Sequence, residues 1–201
     1  HGAAVMIQLT HLGRRTRWDK GDWLPVLAPG HAREPAHRAF PKKMEDWDIA
    51  RVIADYADAA ERMKAAGLDG SELEAYGHLI DQFASPLTNE LEAPWGGDLD
   101  NRLRFAMEVL RAIRTRVGPD FIVGIRHVVD EDLAGGIHEA EGIEIALSNL
   151  TLPETAGAPL VVEGAGGLMV PVNRQTLMID VFASWRLPVV LVARTALGTI
   201  N

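Results

Sequence analysis

The sequence predicts an α/β fold of alternating strand and helix units with parallel strands. Two observations carry this. Short, nearly continuous apolar runs recur along the chain, as in strands buried on both faces. Between them lie amphipathic segments with apolar residues at three- and four-residue spacing, the helical crossovers that parallel neighbours require.

The elements follow in order. Ala3 to Leu9 is apolar and reads as the first strand. Residues 10–46 are rich in Gly, Pro, Trp and Arg and read as a long irregular connection, which inside a domain usually serves function. From Asp48 the pattern is helical: Ile49, Val52, Ile53, Tyr56, Ala60 and Met63 share a face, and Gly67 can close the helix. Leu68 to Leu73 reads as a second strand, poor by propensity because of Gly70, Ser71 and two Glu. After another loop, Leu103, Met107, Leu110, Ile113 and Val117 mark a second helix, with Asp100 placed to cap its start and Gly118 its end. Phe121 to Arg126 is a third strand, and a weaker helix spans about Glu139 to Leu150. Pro159 to Glu163 is a fourth strand and Pro188 to Ala193 a fifth, separated by a helical stripe of Leu177, Met178, Val181, Phe182 and Trp185.

Composition bounds the function. The 201 residues carry 20 Lys+Arg and 28 Asp+Glu, a formal charge of −8 that argues against a nucleic-acid surface. No apolar stretch is long enough to span a membrane. There is no Cys, which excludes disulfides and thiolate chemistry and suits a cytoplasmic protein. Residues 151–201 balance Glu154, Glu163 and Asp180 against Arg174, Arg186 and Arg194, so the whole charge lies in residues 1–150. This shift is a boundary signal near residue 150. The start at His1 and the end at Asn201 read as cut from something longer.

In parallel α/β folds, sites gather beyond the C-terminal ends of strands. Gln8, His11, Gly13, Arg14 and Arg15 follow the first strand, and Tyr76, His78, Asp81 and Gln82 the second. Arg126 and His127 end the third, and Glu163-Gly-Ala-Gly-Gly167 follows the fourth. Each has a plain structural reading as well. An Arg at a strand end often pairs with a neighbouring carboxylate, a lone His11 or His78 can be a structural hydrogen-bonder, and Gly-Ala-Gly-Gly can be a tight turn.

Several segments agree on one family. Gln8-Leu-Thr-His-Leu-Gly-Arg14, Tyr76-Gly-His-Leu-Ile-Asp-Gln-Phe83, Ser85-Pro-Leu-Thr-Asn89, Trp95 to Phe105 and Val123-Gly-Ile-Arg126 occur in this order. Residues 1–140 thereby resemble the Old Yellow Enzyme superfamily, closest to its amine-oxidising branch related to trimethylamine dehydrogenase. The resemblance implies part of a (βα)8 barrel holding FMN, with Gln8 bonding the flavin ring, Arg126 at the ring edge where negative charge develops, and His11 shaping the same region. The family's reductases carry a His and an Asn or second His to hold a substrate carbonyl. Counted back from Gln82-Phe83, these positions are Leu73 and Tyr76, and that of a proton-donating Tyr is His78. The changed set departs from ene-reduction, and leaves His78 or Tyr76 as the acid or base.

Beyond residues 137–151 the likeness changes. Pro159 to Asn173, Asp180 and Leu187 to Asn201 resemble dethiobiotin synthetase, an ATP- and magnesium-dependent ligase with a P-loop-type, Rossmann-like fold. This implies a second segment at 150–201, with Glu163 holding Mg²⁺, Gly164, Gly166 and Gly167 admitting an anion to the backbone, and Asn201 at the nucleotide base. No Gly-x-x-x-x-Gly-Lys-Ser/Thr phosphate loop is present, and the barrel-like part supplies three of eight strands. Three functions follow: an FMN-dependent oxidoreductase acting on a small molecule, a dethiobiotin-forming ligase, or an inactive composite of the two. The oligomeric state is left open.

Overall fold

The computed structural model describes residues 4–17, 25–36, 38–145 and 177–186. A three-stranded sheet organises them: β1 (Met6–Leu9), β4 (Gly70–Glu74) and β5 (Ile122–Arg126), in the order β1-β4-β5 and all parallel. Each neighbouring pair is joined by a helical crossover, α1 (Asp46–Ala65) between β1 and β4 and α3 (Leu99–Val117) between β4 and β5. This is an open segment of a βα barrel, not a closed one, and the expected α/β class with parallel strands holds.

Two registers decide which residues meet. Gln8 lies opposite Glu72 and Leu9 opposite Leu73; Leu73 lies opposite Ile125 and Glu74 opposite Arg126. Side chains alternate along a strand. Leu9, Leu73, Val123 and Ile125 therefore face the helices, where Leu73 is fully buried against Ile49, Val52, Tyr56, Val109 and Ile113. Met6, Gln8, Gly70, Glu72, Glu74 and Arg126 fall on the other face. Each fully buried aliphatic contributes about 1.5–3 kcal/mol, so the helix-covered face holds the segment together and leaves the opposite face for polar groups. Phe83 and Phe105 add a near-parallel stack, with ring centroids 4.2 Å apart.

The helices start and stop for local reasons. α1 begins two residues before the expected Asp48, because the Asp48 carboxylate turns back to accept the Glu45 backbone N–H at 3.0 Å and Lys42 Nζ at 2.5 Å. It ends as expected at Gly67, whose φ of 83° lets Leu68 N–H reach the Met63 carbonyl at 3.1 Å. Leu68 is thereby used in the helix terminus, and β4 runs from Gly70 to Glu74 instead of Leu68 to Leu73.

At α3 the expected cap is wrong. Asp98, not Asp100, accepts the Asn101 N–H at 2.9 Å, and Asp100 lies inside the first turn. Gly118 does close this helix. Its buried stripe is Leu103, Phe105, Ala106, Val109, Ile113 and Val117, whereas Met107 and Leu110 are half-buried at its edge.

Four other elements were not read from the sequence. The connection 10–46 contains a 3-10 turn at Gly13–Arg15 and a short parallel pair, β2 (Leu27–Ala28) with β3 (Lys42–Lys43). The loop after β4 contains α2 (Leu79–Ala84), which is buried along its whole length. The weak helix is α4 (Glu139–Glu144), followed by α5 (Met178–Trp185). Leu177 precedes α5, where its N–H donates to the Asp180 carboxylate at 2.8 Å. The expected fourth and fifth strands lie outside the described residues, as do Glu163, Gly164, Gly166, Gly167 and Asn201. Among the described residues no helix is long and apolar enough to cross a membrane.

Candidate functional site

The polar face of the sheet carries a side-chain ladder across all three strands. Gln8 Nε2 donates to Glu72 Oε2 at 3.5 Å, and Arg126 Nε donates to Glu72 Oε1 at 3.0 Å. Glu72 thus sits between the two residues that the sequence assigned to a flavin ring and brings them onto one surface. The same contact bears out the plain reading of Arg126, which does pair with a neighbouring carboxylate. Glu72 was missed. Its signal was Glu72-x-Glu74, two carboxylates at strand spacing in a segment otherwise poor for a strand.

His78 stands at the rim of this face. Its Nδ1 lies 2.7 Å from Thr10 Oγ1, which ties the loop after β4 to the end of β1. Partial burial, then the Arg15 guanidinium, lower the His78 pKa, opposed by the Glu74 carboxylate. A largely neutral imidazole near pH 7 can accept a proton. Tyr76, the other candidate acid or base, is more than half exposed.

Leu73 does not occupy a substrate-facing position. Its side chain is sealed in the helix-covered core, and the residue that the pleat turns to the polar face is Glu74.

His11 shapes the loop and is not aimed at the polar face. Its Nδ1 accepts the Gly13 N–H at 3.0 Å and its own N–H donates to Tyr56 Oη at 3.0 Å. Burial, with Arg51 nearby, holds its pKa below the usual value, so it stays a neutral acceptor. Gln82 staples the two rim loops together. Its Oε1 accepts the Arg14 N–H at 3.0 Å, and its Nε2 donates to the carbonyls of Leu12 at 3.1 Å and Gly77 at 3.2 Å. Gly13 is required beneath it: φ is 60°, and a Cβ there would stand 2.2 Å from Gln82 Oε1.

Two further motif residues, Asn89 and Arg102, tie loops to the scaffold. Asn89 Nδ2 donates to the carbonyls of Phe83 at 2.7 Å and Trp95 at 2.8 Å. Arg102 is buried, donates to the Ala84 and Gly97 carbonyls, and pairs with Glu141. Behind the rim, Asp81 accepts the Gly77 N–H at 2.9 Å, and burial, with Glu131 and Glu74 adding to it, pushes its pKa up to about 7. His127 beside it is pushed down to about 4 by burial.

The donor set fits the ring of a flavin. Gln8 offers an amide that both donates and accepts, and Arg126 a planar cation, on one face of the sheet with Glu72 between them. Among the described residues no group of His, Cys, Asp and Glu could hold a metal ion. For the magnesium and nucleotide residues, the positions lie outside the described residues.

Comparison with known proteins agrees with two likenesses. The model of the NADH:flavin oxidoreductase / NADH oxidase family matches residues 1–156, and an AAA domain model matches residues 129–201. A probable N-methylproline demethylase of Rhizobium meliloti is 74% identical over 145 residues, 72% of this chain and 21% of that protein. An ATP-dependent dethiobiotin synthetase of Rhodopseudomonas palustris is 65% identical over 63 residues, 31% of this chain and 30% of that protein. The solved structure of histamine dehydrogenase from Rhizobium sp. 4-9 superposes with a TM-score of 0.70 at 30% identity, over 76% of this chain and 23% of that one. The chain spans about a fifth of the length of the demethylase it matches.

Proposed function

The chain belongs to the NADH:flavin oxidoreductase / NADH oxidase family, and from that premise we propose that residues 1–140 are the ring-holding part of an FMN-dependent oxidoreductase that demethylates small N-methylated amines. The observation that carries this is the ladder Gln8–Glu72–Arg126 across three parallel strands, at the end of the sheet where such folds bind ligands. When bound, FMN supplies hydride acceptance. Gln8 and Arg126 would hold its ring, and the guanidinium would stabilise negative charge at the ring edge. Glu72 orients both and tempers the cation's charge. His78, largely neutral and held by Thr10, would take a proton from the substrate amine, with exposed Tyr76 as the other candidate. The histamine dehydrogenase and the demethylase support an amine as substrate, because one name gives histamine and the other N-methylproline as what is acted on. A small-molecule partner and a cytoplasmic location belong to the same proposal.

The test is anaerobic addition of N-methylproline to the FMN-loaded chain. Bleaching of the flavin band supports the reading, and a bound flavin that stays yellow contradicts it.

A second reading has its own support in the dethiobiotin synthetase likeness over the C-terminal part. In it, residues 150–201 are part of an ATP-dependent ligase, with Glu163 on Mg²⁺, Gly164, Gly166 and Gly167 near an anion and Asn201 at the base. The two family matches overlap over residues 129–156, which supports a seam at 137–151. Mg-ATP raising the thermal midpoint would support this reading. A chain that unfolds cooperatively and responds to neither flavin nor Mg-ATP is the inactive composite.

A further inference from the structure

Two polar side chains enclosed behind the rim loop take no part in the chemistry above. Asp81, in the first turn of α2, is 3% exposed, and His127, one residue past β5, is 9% exposed. The Asp81 carboxyl is divided. Its Oδ2 accepts the Gly77 N–H at 2.9 Å, whereas its Oδ1 lies 3.7 Å from His127 Nδ1, too far for a hydrogen bond. Among the described residues neither Oδ1 nor His127 Nε2 has a hydrogen-bond partner. Buried polar atoms are nearly always satisfied, so two orphans in one pair require a reason.

Protonation supplies one. Burial pushes the His127 pKa down to about 4, so its ring is neutral near pH 7. With no acceptor at Nε2 among the described residues, the ring's single proton belongs on Nδ1, facing the carboxyl. Burial, with Glu131 beyond β5 and Glu74 of β4 adding to it against the Gly77 N–H, pushes the Asp81 pKa up to about 7. Arg14 of the 3-10 turn acts on Glu131, and Arg102 of α3 is turned to the far end of α2, at the Ala84 carbonyl. While Asp81 is protonated, with Oδ2 taken by Gly77, its proton sits on Oδ1 and meets Nδ1–H donor to donor. That holds the two atoms apart. Once the proton leaves, Oδ1 becomes an acceptor, and the gap can close from 3.7 Å to about 2.9 Å.

The same carboxyl holds the loop. Three loop N–H groups reach out of it: Ala75 to the Arg126 carbonyl at 3.0 Å, Gly77 to Asp81, and Leu79 to the His11 carbonyl at 2.9 Å. Of the three acceptors, only Asp81 can change charge. Gly77, with φ at 64°, stands directly between Tyr76 and His78.

We propose that Asp81 is a positioning residue for His78: by closing onto His127 Nδ1 it draws the Gly77 peptide with it and re-sets the loop from which His78 meets a ligand. The use of His78 rests on the oxidoreductase reading; the motion rests on the geometry of the pair alone.

The test is NMR of the isotope-labelled whole chain across neutral pH, following the Gly77 amide and the His78 ring. In the native chain the Gly77 amide should shift with a midpoint near pH 7, and the His78 ring should show that same step beside its own, which lies below 6.5. Asp81→Asn keeps the shape but cannot ionise, so both signals should lose the upper step while His78 keeps the lower one. His127→Phe should keep a Gly77 step, at whatever pH Asp81 then titrates, and lose it at His78, because the carboxylate has no N–H to close on. His127→Asn, which offers an N–H near the place of Nδ1, should restore it. Dispersed amide spectra check each fold; Asp81→Ser and His127→Gln, whose amide sits nearer the place of Nε2, replace any variant that unfolds. A native His78 ring without the upper step overturns the proposal. So does a step that survives in His127→Phe, since charge alone would then cause it.

Anaerobic bleaching of the FMN-loaded chain by N-methylproline separates the two readings. Its rate should change with a midpoint near pH 7 in the native chain and not in Asp81→Asn. Both ring steps without bleaching overturn the oxidoreductase reading alone. Bleaching without the upper His78 step, or with the same midpoint in Asp81→Asn, overturns the positioning role alone.

Discussion

Asp81 Oδ1 lies 3.7 Å from His127 Nδ1, and both side chains are almost wholly enclosed. Among the described residues, Asp81 Oδ1 and His127 Nε2 have no hydrogen-bond partner. The pair joins the start of α2 to the end of β5, directly behind the loop that carries Tyr76 and His78.

Removing either member exposes the other's titration. The unfolded His127 has its ordinary pKa of 6.5 and the folded one about 4, so between these values the unfolded chain binds the extra proton and stability rises with pH. Folded Asp81 keeps its proton up to about 7 whereas the unfolded carboxyl loses it near 3.8, so in that window stability falls with pH. In the native chain the two oppose each other. Relative to it, Asp81→Asn should gain stability as pH climbs from 4 to 6.5, and His127→Phe should lose stability from 4 to 7. Urea midpoints across this range, showing slope changes of opposite sign, are the check.

Ser71 should be better as alanine. Its hydroxyl is fully buried on the helix-covered face of the central strand and has no hydrogen-bond partner among the described residues. An orphaned hydroxyl costs about 1–3 kcal/mol, less whatever the lost atom's packing contributed. Ser71→Ala should stabilise by roughly 1 kcal/mol, read as a higher urea midpoint at unchanged slope.

Arg102→Met should destabilise strongly. It strips donors from the Ala84 and Gly97 carbonyls and leaves Glu141 without its cation. Breaking a buried pair from one side costs roughly 3–5 kcal/mol. Chemical denaturation would show this directly, with a loss under 1 kcal/mol counting against the account.

The fold was legible where burial alone decided the pattern. α1, α3 and the β5 run show continuous stripes or apolar strands, because one face of each meets the core. β4 was half legible, since Gly70, Ser71, Glu72 and Glu74 disguise a strand whose polar alternation serves the site and not the core. α2 was invisible: all six of its residues are buried, so it has no polar face to set a period. At the site, Gln8, Arg126 and His78 were found through motif likeness, whereas the strand spacing of Glu72 and Glu74 takes on meaning only once the register across β1, β4 and β5 puts Glu72 between Gln8 and Arg126. Asp98 was passed over for Asp100 because both precede the apolar stripe, and only backbone geometry tells them apart.

Gly13→Ala should uncouple the two rim loops. The new methyl would need a positive φ and the space held by Gln82 Oε1, a strain of about 1–3 kcal/mol. Gln82→Ala should relieve the steric part but not the backbone part, so a double-mutant cycle should show partial rescue. Full additivity would contradict the stapling role.

The central claim is that this segment grips a flavin by its ring through Gln8 and Arg126. Fluorescence-quenching titration with FMN and with riboflavin, on the native chain and on Arg126→Leu, tests it most directly. Saturable quenching by both flavins with similar affinity, lost or weakened at least roughly tenfold in Arg126→Leu, is the predicted result. No saturation at high micromolar flavin, or native affinity in the Arg126 variant, would contradict it.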